Sequence, residues 1–89
     1  MRHCTIYLND IETKEQLHSR LKGSLMLPSY YGNNLDALKD CITDFREDIE
    51  IVVCGLDRFS EKDLSYAEAL KSVLLDCADE DEHLKISFK

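Results

Sequence analysis

IEIVVC, residues Ile49–Cys54, is the stretch on which the fold turns. Ile49, Ile51 and Val53 make one face apolar, and Val52 and Cys54 add apolar groups to the other. A strand apolar on both faces reads as the centre of a parallel sheet. Two other segments fit as its neighbours. His3–Asn9 carries Cys4, Ile6 and Leu8 on one face. Leu84, Ile86 and Phe88 alternate with Lys85 and Ser87, as on an edge strand, where an outward lysine discourages further pairing.

Helical patterns fill the intervals. Thr13-x-x-Gln16 has the form of a capping box, and Leu17, Leu21 and Leu25 follow at helical spacing. Pro28 is expected to stop that helix. A second helix is predicted over about residues 34–45, with Asn34 as its N-cap. Gly55–Ser60 reads as a loop or a short helical turn. Ser65-x-x-Glu68 reads as a further capping box, opening a helix with Ala67, Leu70, Val73, Leu74 and Cys77 inward. The order β-α-α-β-α-β predicts an α/β fold: a small three-stranded parallel sheet packed with three to four helices. No repeat, linker or low-complexity tract interrupts it. The 89 residues are expected to form one domain, 1–89.

Composition excludes several function classes. Hydrophobic residues at 44% and charged residues at 33% are a globular balance. No apolar run approaches the roughly 20 residues of a membrane span, so no membrane partner is expected. The opening MRHCTIYLND lacks the apolar core of about 7–15 residues of a signal peptide, which points to a cytoplasmic protein. Cys4, Cys41, Cys54 and Cys77 all lie in apolar stretches, where cysteine packs as a small hydrophobe, so four free thiols are expected. No C-x-x-C pair occurs, and His3, His18 and His83 stand apart, so neither a metal nor a cofactor is expected. Nothing has the form of a nucleophile–base pair or a phosphate loop, which argues against an enzyme.

The net charge of −7 is unevenly placed: residues 1–35 carry +1 and residues 36–89 carry −8. Nucleic-acid binding needs the opposite sign, because phosphate contacts dominate its affinity. A basic protein partner fits better, although acidity also serves plain solubility. The second helix sharpens this. Leu35, Leu38, Ile42 and Phe45 share one side of it, with Cys41 at the margin, while Asp36, Asp40 and Asp44 share another. Asp36 suits the first turn, where the helix dipole favours a carboxylate. Asp40 and Asp44 have no such local reason. Like charges at i,i+4 repel, and aspartate is a poor helix former. Just before the helix, Tyr30 and Tyr31 lie between Pro28 and Gly32, in a segment too short to hide both rings. Tyr31 is expected in the core and Tyr30 at the surface, where a rigid ring with a polar tip suits an interface.

Leu27–Thr43, LPSYYGNNLDALKDCIT, closely resembles the signature of the barstar family, Leu-Pro-x-Tyr-Tyr-Gly-x-Asn-Leu-Asp-Ala-Leu-x-Asp-Cys-Leu-Thr. It departs from that signature by one conservative change, Ile42 for Leu. A weaker likeness runs over the whole chain, in segment order, length and Ala67–Glu68. The resemblance implies a barstar-like fold and an intracellular inhibitor of a secreted, basic, barnase-type ribonuclease, bound as a 1:1 heterocomplex. The implied mechanism is plugging of the ribonuclease cleft by the second helix and the loop before it. Asp40 matches the aspartate that stands in for an RNA phosphate, Asp36 a second acidic contact, and Tyr30 the ring that packs on the catalytic histidine. Gly32, Asn34, Leu35, Thr43 and Asp44 fall in the same contacting segment. Asp76 matches a contacting glutamate, one methylene longer. Lys39 stands where the family often has tryptophan, which places a cation at the edge of a face meant for a basic cleft. The alternative reading is a barstar-fold immunity or binding protein for a toxin that is not a ribonuclease, or for another basic protein.

Overall fold

Three parallel strands form one sheet in chain order: β1 (Arg2–Tyr7), β2 (Ile49–Cys54) and β3 (Leu84–Phe88). The computed structural model describes residues 1–45 and 47–89. Helices α1 (Lys14–Leu25) and α2 (Leu35–Thr43) connect β1 to β2. Helices α3 (Leu56–Lys62) and α4 (Leu64–Glu80) connect β2 to β3. The α/β sheet, its parallel sense and the central place of Ile49–Cys54 are as the sequence predicts.

Strand order fixes where the helices go. Both crossovers advance in the same direction across the sheet, and right-handed crossovers then put every helix on one face. Register and burial agree with this. Ile51 lies between Cys4 and Ile86, and Val53 lies between Ile6 and Phe88. Cys4, Ile6, Ile51 and Val53 are buried, whereas His3, Thr5 and Tyr7 on the other face are exposed. The two-sided apolar pattern of β2 therefore has a different meaning from full burial. Val52 and Cys54 are only half-buried, because no second helical layer covers them. On the covered face, one cluster draws on every element, with Leu8, Leu17, Leu21, Leu38, Ile42, Phe59, Leu70 and Leu74 among its buried members.

The helix ends differ in detail from the sequence prediction. Thr13 caps α1 by accepting from the Gln16 N–H at 3.2 Å, while the Gln16 side chain accepts from the Glu12 N–H at 2.8 Å rather than from that of Thr13. Helix α1 ends before Pro28 is reached: Met26 turns left-handed (φ 55°, ψ 48°), and its N–H and that of Leu27 both reach the Lys22 carbonyl. The Arg2 guanidinium donates to the Leu25 carbonyl at 2.9 Å and lies 5.6 Å from the centre of the Phe45 ring, so β1 is tied to the end of α1 and to the segment after α2. Most of Gly55–Ser60 belongs to a helix, α3, which Gly55 caps and buried Phe59 anchors. The cap of α4 is Asp63, whose carboxylate accepts from the Tyr66 N–H at 3.1 Å. Ser65 lies inside that helix, so the predicted capping box there is wrong. Aspartate is as good a cap as serine, and it comes first in the chain.

All four cysteines are free thiols, Cys4 and Cys77 buried and Cys41 and Cys54 half-buried. Among the described residues, no helix is long and apolar enough to cross a membrane, and no three His, Cys, Asp or Glu side chains gather as a metal site.

Gly55, which starts the second crossover, has φ 82°, and a Cβ there would collide with the Asn9 side chain and stand 2.9 Å from the Asn9 backbone nitrogen. Gly55→Ala is therefore expected to cost about 2 kcal/mol or more, from left-handed strain plus displacement of the β1–α1 corner. Urea melts of the two proteins measure it, and a loss below about 0.5 kcal/mol would contradict this account.

Candidate functional site

The loop 26–34 and helix α2 form a surface whose shape begins in the core. His18, on α1, is 1% exposed. Its two ring nitrogens each meet a phenol: Nδ1 lies 2.6 Å from the Tyr31 hydroxyl and Nε2 lies 2.6 Å from the Tyr66 hydroxyl. A neutral imidazole has one donor and one acceptor, so the two hydroxyls must play opposite roles. The Tyr31 hydroxyl also approaches the Asn34 carbonyl at 3.5 Å. One arrangement satisfies every group: Nδ1–H donates to Tyr31, whose hydroxyl points to Asn34, and Tyr66 donates to Nε2. Burial holds the imidazole pKa below its usual range, against a small opposing pull from Glu15. Burial likewise raises the pKa of both phenols, so the network stays uncharged.

This network locks the loop to α1 and α4. Tyr31 is 5% exposed, and Tyr30, its neighbour, is 82% exposed. The division of labour predicted for the pair is what the structure has. The capping of α2 also agrees: the Asn34 carboxamide oxygen accepts from the Ala37 N–H at 2.8 Å, and its nitrogen donates to the Gly32 carbonyl at 3.2 Å. A side chain at Gly32 would sit 3.3 Å from that Asn34 nitrogen, so glycine leaves the cap its room. Asn33 takes a left-handed conformation (φ 55°), which asparagine tolerates.

Along α2, Leu38 and Ile42 are buried, and Leu35 and Cys41 are half-buried at the margin. Asp36, Asp40, Thr43 and Asp44 are exposed. Asp44 is the C-cap rather than a residue of the helix, so the predicted extent of 34–45 shortens at both ends. The Thr43 hydroxyl donates to the Asp40 carbonyl at 3.0 Å, which stiffens the last turn. Among the described residues, Asp36, Asp40 and Asp44 form no ion pair. Lys39 does: its Nζ lies 3.7 Å from the Glu80 carboxylate of α4. It thus leans across to the neighbouring helix instead of standing free beside Asp40. Asp76 is exposed on α4 one turn before Glu80, hence on the side turned toward α2. The surface so assembled carries Tyr30, Asp36, Asp40, Asp44, Asp76 and Glu80 and, among the described residues, one cation, Lys39.

Sequence reasoning missed His18 and Tyr66, which position this surface without belonging to it. The available signal was that His18 falls on the apolar stripe of α1, between Leu17 and Leu21. A titratable ring there needs buried polar partners.

A family model described as Barstar (barnase inhibitor) matches residues 1–89. A protein of Bacillus subtilis (strain 168) named "Putative ribonuclease inhibitor YrdF" is 40% identical over 90 residues, covering 100% of this chain and 96% of that protein.

Two outcomes follow from the buried network. Tyr30→Ala is expected to change stability by less than about 1 kcal/mol, and Tyr31→Ala to cost about 3 kcal/mol or more. Equal losses in urea melts would contradict the packing described. The second outcome concerns pH. The folded imidazole has a lowered pKa, so the unfolded chain takes up this proton first as pH falls. Stability from His18 is therefore complete above about pH 6.5 and is lost as pH falls through the folded value. In paired melts from pH 7.5 to 5, the advantage of the parent over His18→Gln should shrink, and a constant difference would refute the assignment.

Proposed function

The chain belongs to the barstar family, and on that premise we propose that it is an inhibitor of a basic, secreted ribonuclease, kept in the cytoplasm and acting by occupying the enzyme's active-site cleft. It is a binding protein and not an enzyme, and it needs no cofactor. The observation that carries this reading is the row of aspartates on α2. Asp36, Asp40 and Asp44 are exposed, and no described cation of their own chain pairs with them. They stand beside a tyrosine ring almost wholly in solvent. A ribonuclease cleft is lined with cations that bind the RNA phosphate. A carboxylate placed there accepts charge-assisted hydrogen bonds, often two at once from one guanidinium.

In this mechanism Asp40, at the middle of the exposed face, replaces the phosphate. Asp36 gives a second acidic contact, and Asp76 reaches in from α4. Tyr30 packs its ring on the ribonuclease's catalytic histidine, while Gly32, Asn34, Leu35 and Thr43 complete the surface around it. Asp44, at the rim, steers approach more than it holds the complex. Lys39 is already engaged by Glu80. The rim of the partner near that pair is therefore expected to differ from a rim built of bases alone. The free surface is preorganised, because α2 is capped by Asn34 and the loop is locked through Tyr31. Little ordering entropy is then left for the binding step.

Folding does not need the aspartates, so stability and binding should separate. Asp40→Ala removes repulsion at i±4 and supplies a better helix former, so the variant should melt at the same or a higher urea concentration. Its inhibition of the cognate ribonuclease should weaken by about 2–5 kcal/mol, roughly 30-fold to several thousand-fold, because the enzyme's cations are left buried without a counter-charge. Coupling energies of close charge pairs in the barnase–barstar complex, about 1.5–7 kcal/mol, bracket this range. A variant that melts early while inhibiting normally would make the stripe structural. Capture of a secreted protein that does not cleave RNA would favour the immunity-protein alternative.

A further inference from the structure

Met26 breaks two local rules at once. It adopts the left-handed conformation that closes α1 (φ 55°, ψ 48°), a position that favours glycine and carries a cost for any residue with a Cβ other than asparagine or aspartate. Its side chain then gains nothing from the core, because Met26 is 79% exposed. Leu27, the next residue, is buried and supplies the apolar contact that this kind of helix end usually has. Glycine at position 26 would therefore serve the fold at least as well. Departures of this sort, where local structure is worse than it needs to be, gather at functional surfaces.

The place of Met26 points to which surface. Among the described residues, the two most exposed large apolar side chains are Met26 and Tyr30. They bracket one short segment, Leu27–Ser29, in which Leu27 is buried and Pro28 half-buried. Both ends of that segment are fixed. Leu27 N–H is held by the Lys22 carbonyl at 3.0 Å, and Tyr31 N–H by the Pro28 carbonyl at 3.0 Å. Two apolar groups held out by one rigid segment, next to an acidic helix, make an apolar margin to a charged patch. Interfaces are commonly arranged with such anchors beside the ionic contacts. A methionine suits the margin: it is unbranched and polarisable, and it adapts to an irregular opposing surface.

We propose that Met26 is a further contact of the inhibitory surface, docking beside Tyr30 against an apolar or aromatic patch on the rim of the ribonuclease cleft. This rests on the ribonuclease-inhibitor reading. The contact would widen the surface beyond α2 and its capping loop to the last turn of α1. It would make the apolar character of the enzyme's rim a determinant of which ribonucleases are bound well.

The test uses the full chain and purified barnase as the probe enzyme. Met26→Gly and Met26→Asn both suit the left-handed position, and neither carries the apolar side chain. Both should melt at the same or a higher urea concentration than the parent. Both should inhibit about tenfold less well, mainly through faster dissociation. Met26→Leu should restore inhibition to within about twofold of the parent. Asp40→Ala is measured in parallel. If Asp40→Ala loses inhibition while Met26→Gly and Met26→Asn inhibit like the parent, the Met26 contact is overturned and the inhibitor reading stands. If Met26→Leu is as weak as Met26→Gly, an apolar contact of this kind is also overturned. If the parent itself leaves barnase fully active, the Met26 contact with this class of enzyme fails, and with it the reading of the chain as an inhibitor of barnase-type enzymes.

Discussion

A single neutral imidazole held between two phenols sets the geometry of the presented surface. His18 has one hydrogen to give and one lone pair to offer, so its partners cannot be exchanged without leaving a polar atom unsatisfied in the core. That requirement joins three parts of the chain that have few other polar links: α1, which carries the ring; the loop, through Tyr31; and α4, through Tyr66. The loop has no regular structure of its own. Its conformation is inherited from this contact and from the Asn34 cap. Tyr30 stands out in solvent because its neighbour is fastened beneath it, and the orientation of α2 follows from the same fastening.

Electrostatics divides the molecule in a complementary way. Arg20 binds Asp10 through both carboxylate oxygens, at 3.1 and 2.9 Å, and holds the Asp10 carboxyl below its usual range. Arg2 engages Glu47, Lys39 engages Glu80, and His83 lies 2.6 Å from Asp48, which raises the imidazole pKa. These exposed pairs add little to stability individually. Their effect is one of distribution: the cations they use lie at strand ends (Arg2, His83), along α1 (Arg20) or between α2 and α4 (Lys39), and among the described residues none pairs with the aspartates of α2. Under the proposed inhibitor reading, a surface that disfavours its own helix by repulsion and a weak helix former has its value in the complex.

Much of this was legible in the sequence, and the misses have physical causes. The parallel sheet, the central strand and the inward faces of α1 and α4 were readable because apolar periodicity reports which side of an element is dry. The split between Tyr30 and Tyr31 was readable because a segment of that length between a proline and a glycine cannot hide two rings. The second face of β2 was misleading. Val52 and Cys54 are apolar, yet strand order decides whether a face is covered, and order is not a local property. The cap of α4 was missed because Asp63 ends one helix and starts the next with no spacer between them. The buried triad was invisible as a unit, since His18, Tyr31 and Tyr66 are far apart in the chain and only packing brings them together. The acidic stripe was readable from spacing. The engagement of Lys39 with Glu80 was not, because it depends on how α2 lies against α4.

The in-order parallel sheet also governs how the protein is made. A hairpin pairs neighbours in sequence, but here β1 must wait for β2, with contacts such as that of His3 and Glu50 spanning 47 positions. The central strand then keeps one ladder edge bare until residues 84–88 arrive. The helices can form as they emerge, while the sheet that orders them is completed only by the last strand, and contacts of such long range make assembly slow. A nascent chain on the ribosome therefore holds an apolar central strand without its outer neighbour until residues 84–88 have been made. Glu50 on β2, with Glu47 and Asp48 just before it, puts charge beside that open edge during the interval, and charge there disfavours wrong pairing.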